Sequence, residues 1–95
     1  MRIDERAQAH YPRERGYNLF RNKQRPDLLC AVPEDYPVPG FIIEEEWVFE
    51  RALRPSDAAP PGFHARAASA GVRFIGFYLF YLITSGRGDP RSMAA

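Results

Sequence analysis

Three side chains carry the chemistry that catalysis or metal binding would need: Cys30, His10 and His64, the single cysteine and both histidines. Zinc sites draw such ligands from closely spaced pairs, whereas these three residues are far apart in the sequence. A nucleophilic thiol would need a neighbouring histidine that lowers its pKa. Cys30 instead lies between Leu29 and Ala31, where burial raises the pKa of a thiol and makes it inert. We therefore predict no catalytic residue, no metal site and no cofactor.

A second candidate group consists of four glutamates within seven residues: Glu44, Glu45, Glu46 and Glu50. Carboxylates that converge on one point can exchange protons or hold a hard cation. Consecutive glutamates point in different directions on a helix and on a strand, so this group is more typical of a solvated edge. A small enzyme or ligand-binding domain of unknown substrate is an alternative, in which Glu46, His64 or Cys30 would lie near a cleft.

Basic and aromatic side chains are interspersed over residues 11–25. Rings that stack on bases, together with cations that face the phosphates, are typical of proteins that bind single-stranded nucleic acid. The same rings would also serve a hydrophobic core, and the net charge of the chain is only +1. Nucleic-acid binding through this segment is therefore an alternative function. The segment contributes Tyr11, Arg13, Arg15, Tyr17, Phe20, Arg21, Lys23 and Arg25.

Length and composition indicate one domain with an uneven distribution of charge. The chain has 95 residues, the usual size of a domain, and its 14% of aromatic residues argues against disorder throughout. Residues 1–26 carry 7 basic and 3 acidic side chains, residues 27–50 carry 7 acidic and 0 basic ones, and residues 51–95 carry 6 basic and 2 acidic ones. We expect these segments to neutralise one another across the fold.

The cysteine content and the N-terminal residues predict where the protein resides. One cysteine excludes an intrachain disulfide framework. The opening residues Met-Arg-Ile-Asp-Glu-Arg lack the apolar core of a secretory signal. Both features indicate a reducing cytoplasm. The 12 arginines against a single lysine are typical of a GC-rich bacterial coding sequence.

The most apolar stretch of the chain, residues 72–84, dominates the fold prediction. Its residues are aromatic or branched on both faces of a period-two pattern, which predicts a strand that needs cover on both sides. One rival is a helix over residues 63–84, which Gly71 and Gly76 disfavour at about 1 kcal/mol each. A membrane span is the other rival, but the run is shorter than the roughly 20 residues required and contains Arg73. We therefore expect no stable membrane span.

The remaining elements complete a small α+β domain. Short runs bounded by turn residues predict further strands over 17–20 and 28–32, and 47–53 is assigned as a strand although 43–53 also suits a helix. The best helix covers about residues 62–70, with Gly71 as its left-handed stop. The prediction is a three- to four-stranded, mostly antiparallel sheet with this principal helix packed on one face. The domain would span residues 1–84, with residues 1–16 as an arm or short helix and 85–95 as a flexible tail.

A surplus of apolar surface predicts the function. One short helix covers only one face of the sheet, and exposed aromatic surface is typical of protein interfaces. The leading hypothesis is a non-enzymatic module that binds a protein partner or a second copy of itself to form a homo-oligomer. A variant is that the surface was engineered on a small bacterial scaffold. The predicted interface residues are Ile42, Ile43, Trp47, Ile75, Phe77, Leu79, Tyr81 and Ile83.

Overall fold

The computed structural model describes residues 15–83 of the chain. These residues form four strands and one helix. The elements are β1 (Tyr17–Asn22), β2 (Leu28–Pro33), β3 (Trp47–Leu53), α1 (Ala65–Ile75) and β4 (Tyr78–Tyr81). The predicted N-terminal arm, apart from its last two residues, and the predicted tail lie outside the described part of the chain.

The four strands form one antiparallel sheet in the order β3-β1-β2-β4. This confirms the predicted α+β fold, with a four-stranded sheet and one helix. One transverse row of the sheet contains Phe49, Phe20, Cys30 and Leu79 in neighbouring positions, so their side chains share a face. Because strands lie about 4.8 Å apart, this row is about 14 Å wide.

The β1–β2 hairpin is closed by the side chain of Asn22. Its Oδ1 accepts hydrogen bonds from the backbone N–H groups of Gln24 at 3.0 Å and Arg25 at 2.8 Å. Asparagine favours such turns because its amide oxygen can replace a backbone acceptor. The Leu28 N–H then donates to the Arg25 carbonyl at 2.8 Å, and β2 begins.

A β-bulge changes which face of the sheet β3 presents. Phe20 pairs with Phe49, whereas the preceding Leu19 pairs with Arg51, so Glu50 is an extra residue on β3. An extra residue inverts the period-two alternation beyond it. Simple alternation would place Trp47, Phe49, Arg51 and Leu53 on one face. The bulge instead divides them, with the first two on one face of the sheet and the last two on the other.

The predicted boundary between the helix and the central strand is wrong. Helix α1 continues through Gly71 to Ile75 and ends at Gly76, which has the left-handed φ of 88° and donates its N–H to the Val72 carbonyl at 2.9 Å. Gly71 is needed for space, because a Cβ there would lie 2.8 Å from the Phe77 carbonyl oxygen. The 13-residue apolar stretch is therefore part helix and part strand.

The main core lies between the helix and one face of the sheet. Ala68 and Val72, four residues apart on α1, are both buried against it. Phe63, just before the helix, makes edge-to-face ring contacts at centroid distances of 5.5 Å with Tyr17 and 5.4 Å with Phe80. The buried members are Tyr17, Leu19, Leu29, Ala31, Leu53, Phe63, Ala68, Val72 and Phe80.

Within residues 15–83, no helix combines the length and the apolar character needed to cross a bilayer. The only helix in that range, α1, has 11 residues, whereas a span needs about 20.

The conformation at Gly76 predicts the effect of replacing it. Gly76→Ala should lower the free energy of unfolding by about 1–2 kcal/mol, because a Cβ is unfavourable in the left-handed region. Gly40→Ala is the matched control, since no atom lies within 4 Å of a Cβ there, and its effect should stay within about 0.5 kcal/mol. Denaturant unfolding measures both. Equal stability of the two variants would contradict the placement of the helix end.

Candidate interaction surface

The face of the sheet opposite α1 has its own smaller apolar cluster. Helix α1 contacts only β2 and β4 among the described elements, and it does so on the other face. On the second face, Cys30, Val32 and Trp47 are buried. Side chains that are only partly buried surround them, so this cluster is thinner than the main core. These surrounding side chains are Phe20, Leu28, Ile42 and Phe77.

A short connecting segment, residues 41–46, provides the cover that a helix would otherwise provide. The Phe41 ring lies edge-to-face with the rings of Trp47 and Phe77, at centroid distances of 5.8 and 5.0 Å. The Ile43 carbonyl accepts the N–H groups of Glu46 at 3.0 Å and Trp47 at 2.8 Å, which turns the chain into β3. Six residues cannot cover four strands, so part of the second face stays open.

Four large apolar side chains on this side of the molecule are exposed, and we call them the open face. Phe49 is 54%, Tyr81 51%, Leu79 45% and Phe41 40% exposed. Phe49 packs edge-to-face on the half-buried Phe20, with centroids 5.8 Å apart. Isolated exposed apolar residues are ordinary, but several on one face of a sheet are typical of an interaction site.

Three of the predicted interface residues support the open face from beneath. Trp47 is buried, and Ile42 and Phe77 are half-buried beside it in the second cluster. Buried residues of this kind fix the shape of a surface but offer little area to a partner. Trp47 and Phe77 contact the Phe41 ring and hold it in place, and Ile42 packs beside them in the second cluster.

The other five predicted residues are exposed but do not form one group. Leu79 and Tyr81 lie on the second face, as the pairing of β4 with β2 requires. Ile43 is at the turn before β3. Ile75 is in the last turn of α1, so the period-two pattern of β4 does not place it on the same face as Leu79 and Tyr81. Ile83 follows β4, and its N–H donates to the Pro61 carbonyl at 3.1 Å.

Two members of the open face, Phe49 and Phe41, are absent from the predicted set. The alternation of β3 places Phe49 with Trp47, which was a usable signal for its face. Phe41 could not be identified in this way, because its ring partner Phe77 is 36 positions away in the sequence. Its role depends on a long-range contact that no local pattern contains.

One charged side chain borders the open face, and an ion pair lies on the other side of the sheet. The Arg25 Nη1 donates a hydrogen bond to the Tyr81 hydroxyl at 3.2 Å. Arg21 pairs with Leu29 of the main core and therefore lies on the α1 side, where its Nε forms an ion pair of 2.7 Å with Glu50 Oε1 of β3. Both partners are well exposed, so this pair contributes at most about 1 kcal/mol to stability.

The residues considered for catalysis do not converge in the structure. Cys30 is fully buried at the centre of the sheet with its side chain toward the second face. His64 is exposed at the start of α1, which lies on the opposite face. Glu46 is exposed in the turn before β3. In the described range of the chain, no three His, Cys, Asp or Glu side chains form a group suited to a metal ion.

The rings of the basic-aromatic segment do not form one stacking surface. Tyr17 is buried in the main core, whereas Phe20 faces the other side of the sheet. Arg21 is occupied by Glu50, and the Arg15 guanidinium lies 5.4 Å from the centroid of the Tyr36 ring. Residues 11–14 lie outside the described range. The geometry thus gives little support to nucleic-acid binding, which stays an untested prediction.

Comparisons of this chain with protein-family models, with curated proteins and with solved structures find no significant match. Its functional assignment therefore depends on its own residues. Among the described residues, the open face is the feature that most directly suggests an activity.

Burial of Cys30 predicts an inert thiol. Desolvation raises its pKa to about 12, so the native protein at pH 8 should react with a thiol reagent far more slowly than the denatured protein does. Ellman's reagent measures this directly, because Cys30 is the only cysteine in the sequence. Rapid labelling of the native state would contradict the burial.

The same pKa predicts how stability changes at high pH. Below about pH 9 the thiol is protonated in both states; between about pH 9 and 12 only the unfolded state loses the proton. The unfolded state then binds fewer protons than the folded state. The contribution of Cys30 to the free energy of unfolding therefore falls by up to about 1.4 kcal/mol per pH unit. Between pH 8 and 11, the free energy of unfolding should therefore fall more steeply with pH for the parent than for Cys30→Ala. Equal slopes for the two proteins would contradict the raised pKa of Cys30.

Proposed function

We propose that this protein is a non-enzymatic protein-binding module that associates with a second copy of itself through the open face. The observation that carries the proposal is the exposure of Phe41, Phe49, Leu79 and Tyr81 on the side of the sheet that α1 does not cover. Their burial against a partner would remove apolar surface from water, which is the main driving force of association.

The amount of apolar surface suits an interface. Aromatic side chains bury about 150–250 Å² each, so the half-exposed members of the open face offer on the order of 350 Å² together. A standard interface buries about 800 Å² per partner, and roughly 450 Å² of that area is apolar. The open face with its half-buried neighbours approaches this apolar share, and polar groups at its rim would provide the rest.

The residue types also suit the centre of an interface. Tyrosine, phenylalanine and arginine are enriched there, and a few such residues provide most of the binding energy. Here Arg25 holds the hydroxyl of Tyr81, and Phe20 supports Phe49. Contacts of this kind restrict the rings before binding, which lowers the entropy lost on association.

A lysine at the open face should dissociate the assembly. We expect the parent to show a concentration-dependent rise in mass toward a dimer, and Tyr81→Lys and Leu79→Lys each to raise the dissociation constant at least about tenfold. Phe74→Lys is the matched control, since Phe74 is 79% exposed but lies on α1, and it should associate like the parent. Sedimentation equilibrium measures the masses.

Two results would refute this proposal. One is a parent that remains monomeric up to millimolar concentration, which would show that the open face does not mediate self-association. The other is a parent dimer that Phe74→Lys disrupts and Tyr81→Lys does not. Denaturant unfolding of each variant serves as the folding control, because exposed substitutions should change stability by less than about 1 kcal/mol.

A further inference from the structure

Two oppositely charged turns lie side by side at one end of the sheet. The basic turn, residues 23–27, connects β1 to β2 and contains Lys23 and Arg25 against one acidic residue, Asp27. The acidic turn, residues 44–46, precedes β3. A hydrogen bond of 2.8 Å from the Lys23 N–H to the Glu46 carbonyl places the two turns next to each other. Both are exposed to solvent.

The charges of these turns are not neutralised by close ion pairs. The ion pair found between Arg21 and Glu50 involves neither turn, so within residues 15–83 the side chains of the acidic turn and the basic turn keep their charges available for a partner. The basic turn also borders the open face, because Arg25 contacts Tyr81. The positive charge of the basic turn therefore directly adjoins the apolar surface of the open face.

We propose that the basic turn of one copy contacts the acidic turn of a second copy in a two-fold symmetric dimer, an inference that rests on the proposed self-association. A two-fold interface must be complementary to itself. A positive patch beside a negative patch meets this condition, because a rotation of 180° brings each patch opposite the other. The apolar open face provides the attraction, and the two turns fix the orientation of the copies.

A second copy suits this surface better than the terminal segments of the same chain. The residues outside the described range contain few large apolar side chains with which to cover the open face. These are Met1, Ile3, Tyr11 and Met93. A second copy, in contrast, brings an apolar face of equal size and charged turns of the opposite sign in the required places.

Charge-reversal variants test the arrangement. Glu44→Lys combined with Glu45→Lys makes both turns positive, and Lys23→Glu combined with Arg25→Glu makes both negative. Each double variant alone should dimerise at least about tenfold more weakly than the parent at low salt. An equimolar mixture should regain the dissociation constant of the parent to within about threefold, because every contact across a heterodimer is then attractive. Sedimentation equilibrium in 10–20 mM salt, roughly a 25 Å screening length, measures all three samples.

A control separates the contact from simple attraction between oppositely charged molecules. Arg66→Glu combined with Arg73→Glu changes the net charge by the same amount as Lys23→Glu combined with Arg25→Glu. Both residues are exposed on α1, away from the two turns. This variant should dimerise like the parent and should not rescue the acidic-turn variant when the two are mixed.

The outcomes distinguish this inference from the proposed function. If the parent dimerises, Tyr81→Lys disrupts it and the charge-reversal variants still dimerise normally, the open face is the interface and the arrangement of the turns is wrong. Equal rescue by the α1 variant would also overturn the arrangement. A monomeric parent would overturn the proposed function itself, and this inference with it.

Discussion

The structure depends on a sheet that is apolar on both faces, while residues 15–83 provide one helix to cover it. Strand β2 shows this constraint most clearly. Leu29 and Ala31 are buried toward α1, while Cys30 and Val32 are buried toward the opposite side. A strand of this kind cannot remain beside water on either face without a large loss of stability, so both faces need cover. The chain meets this requirement with α1 on one side and with residues 41–46 on the other.

Helix α1 covers its face of the sheet more completely than residues 41–46 cover theirs. The proposed self-association rests on this difference. The helix presents small and branched side chains, Ala68 and Val72, that approach the sheet closely. The segment over residues 41–46 provides one aromatic ring, Phe41, which bridges Trp47 and Phe77. Cover of the second face is therefore complete at its centre and incomplete at Phe49, Leu79 and Tyr81. A partner that packs there would complete a layer that residues 15–83 leave incomplete.

Much of the fold was predictable because its signals are local. Strands β1 and β2 are short apolar runs between turn residues, and β3 contains the Trp-Val-Phe sequence that favours a strand. The end of the helix was not predictable, because two glycines compete for that role. Gly71 provides space for the Phe77 carbonyl and Gly76 provides the left-handed turn, and only the packed structure separates these uses. The bulge at Glu50 likewise depends on the pairing of β3 with β1.

The candidate site was only partly predictable for the same reason. Alternation along β4 correctly places Leu79 and Tyr81 together, but the assumption of one long strand placed Ile75 with them. Phe41 escaped prediction because its importance comes from contacts that are distant in sequence. Exposure is a property of the whole fold, so a list of apolar residues cannot by itself distinguish Trp47, which supports the surface, from Phe49, which forms it.

The most direct measurement is hydroxyl-radical footprinting of the parent protein over a range of concentrations, read by mass spectrometry at individual rings. We expect Phe49 and Tyr81 to become protected as the concentration rises through the dissociation constant, while Phe74 on α1 stays equally reactive throughout. Constant reactivity at all three rings, or protection that appears first at Phe74, would contradict the assignment of the open face as the interface.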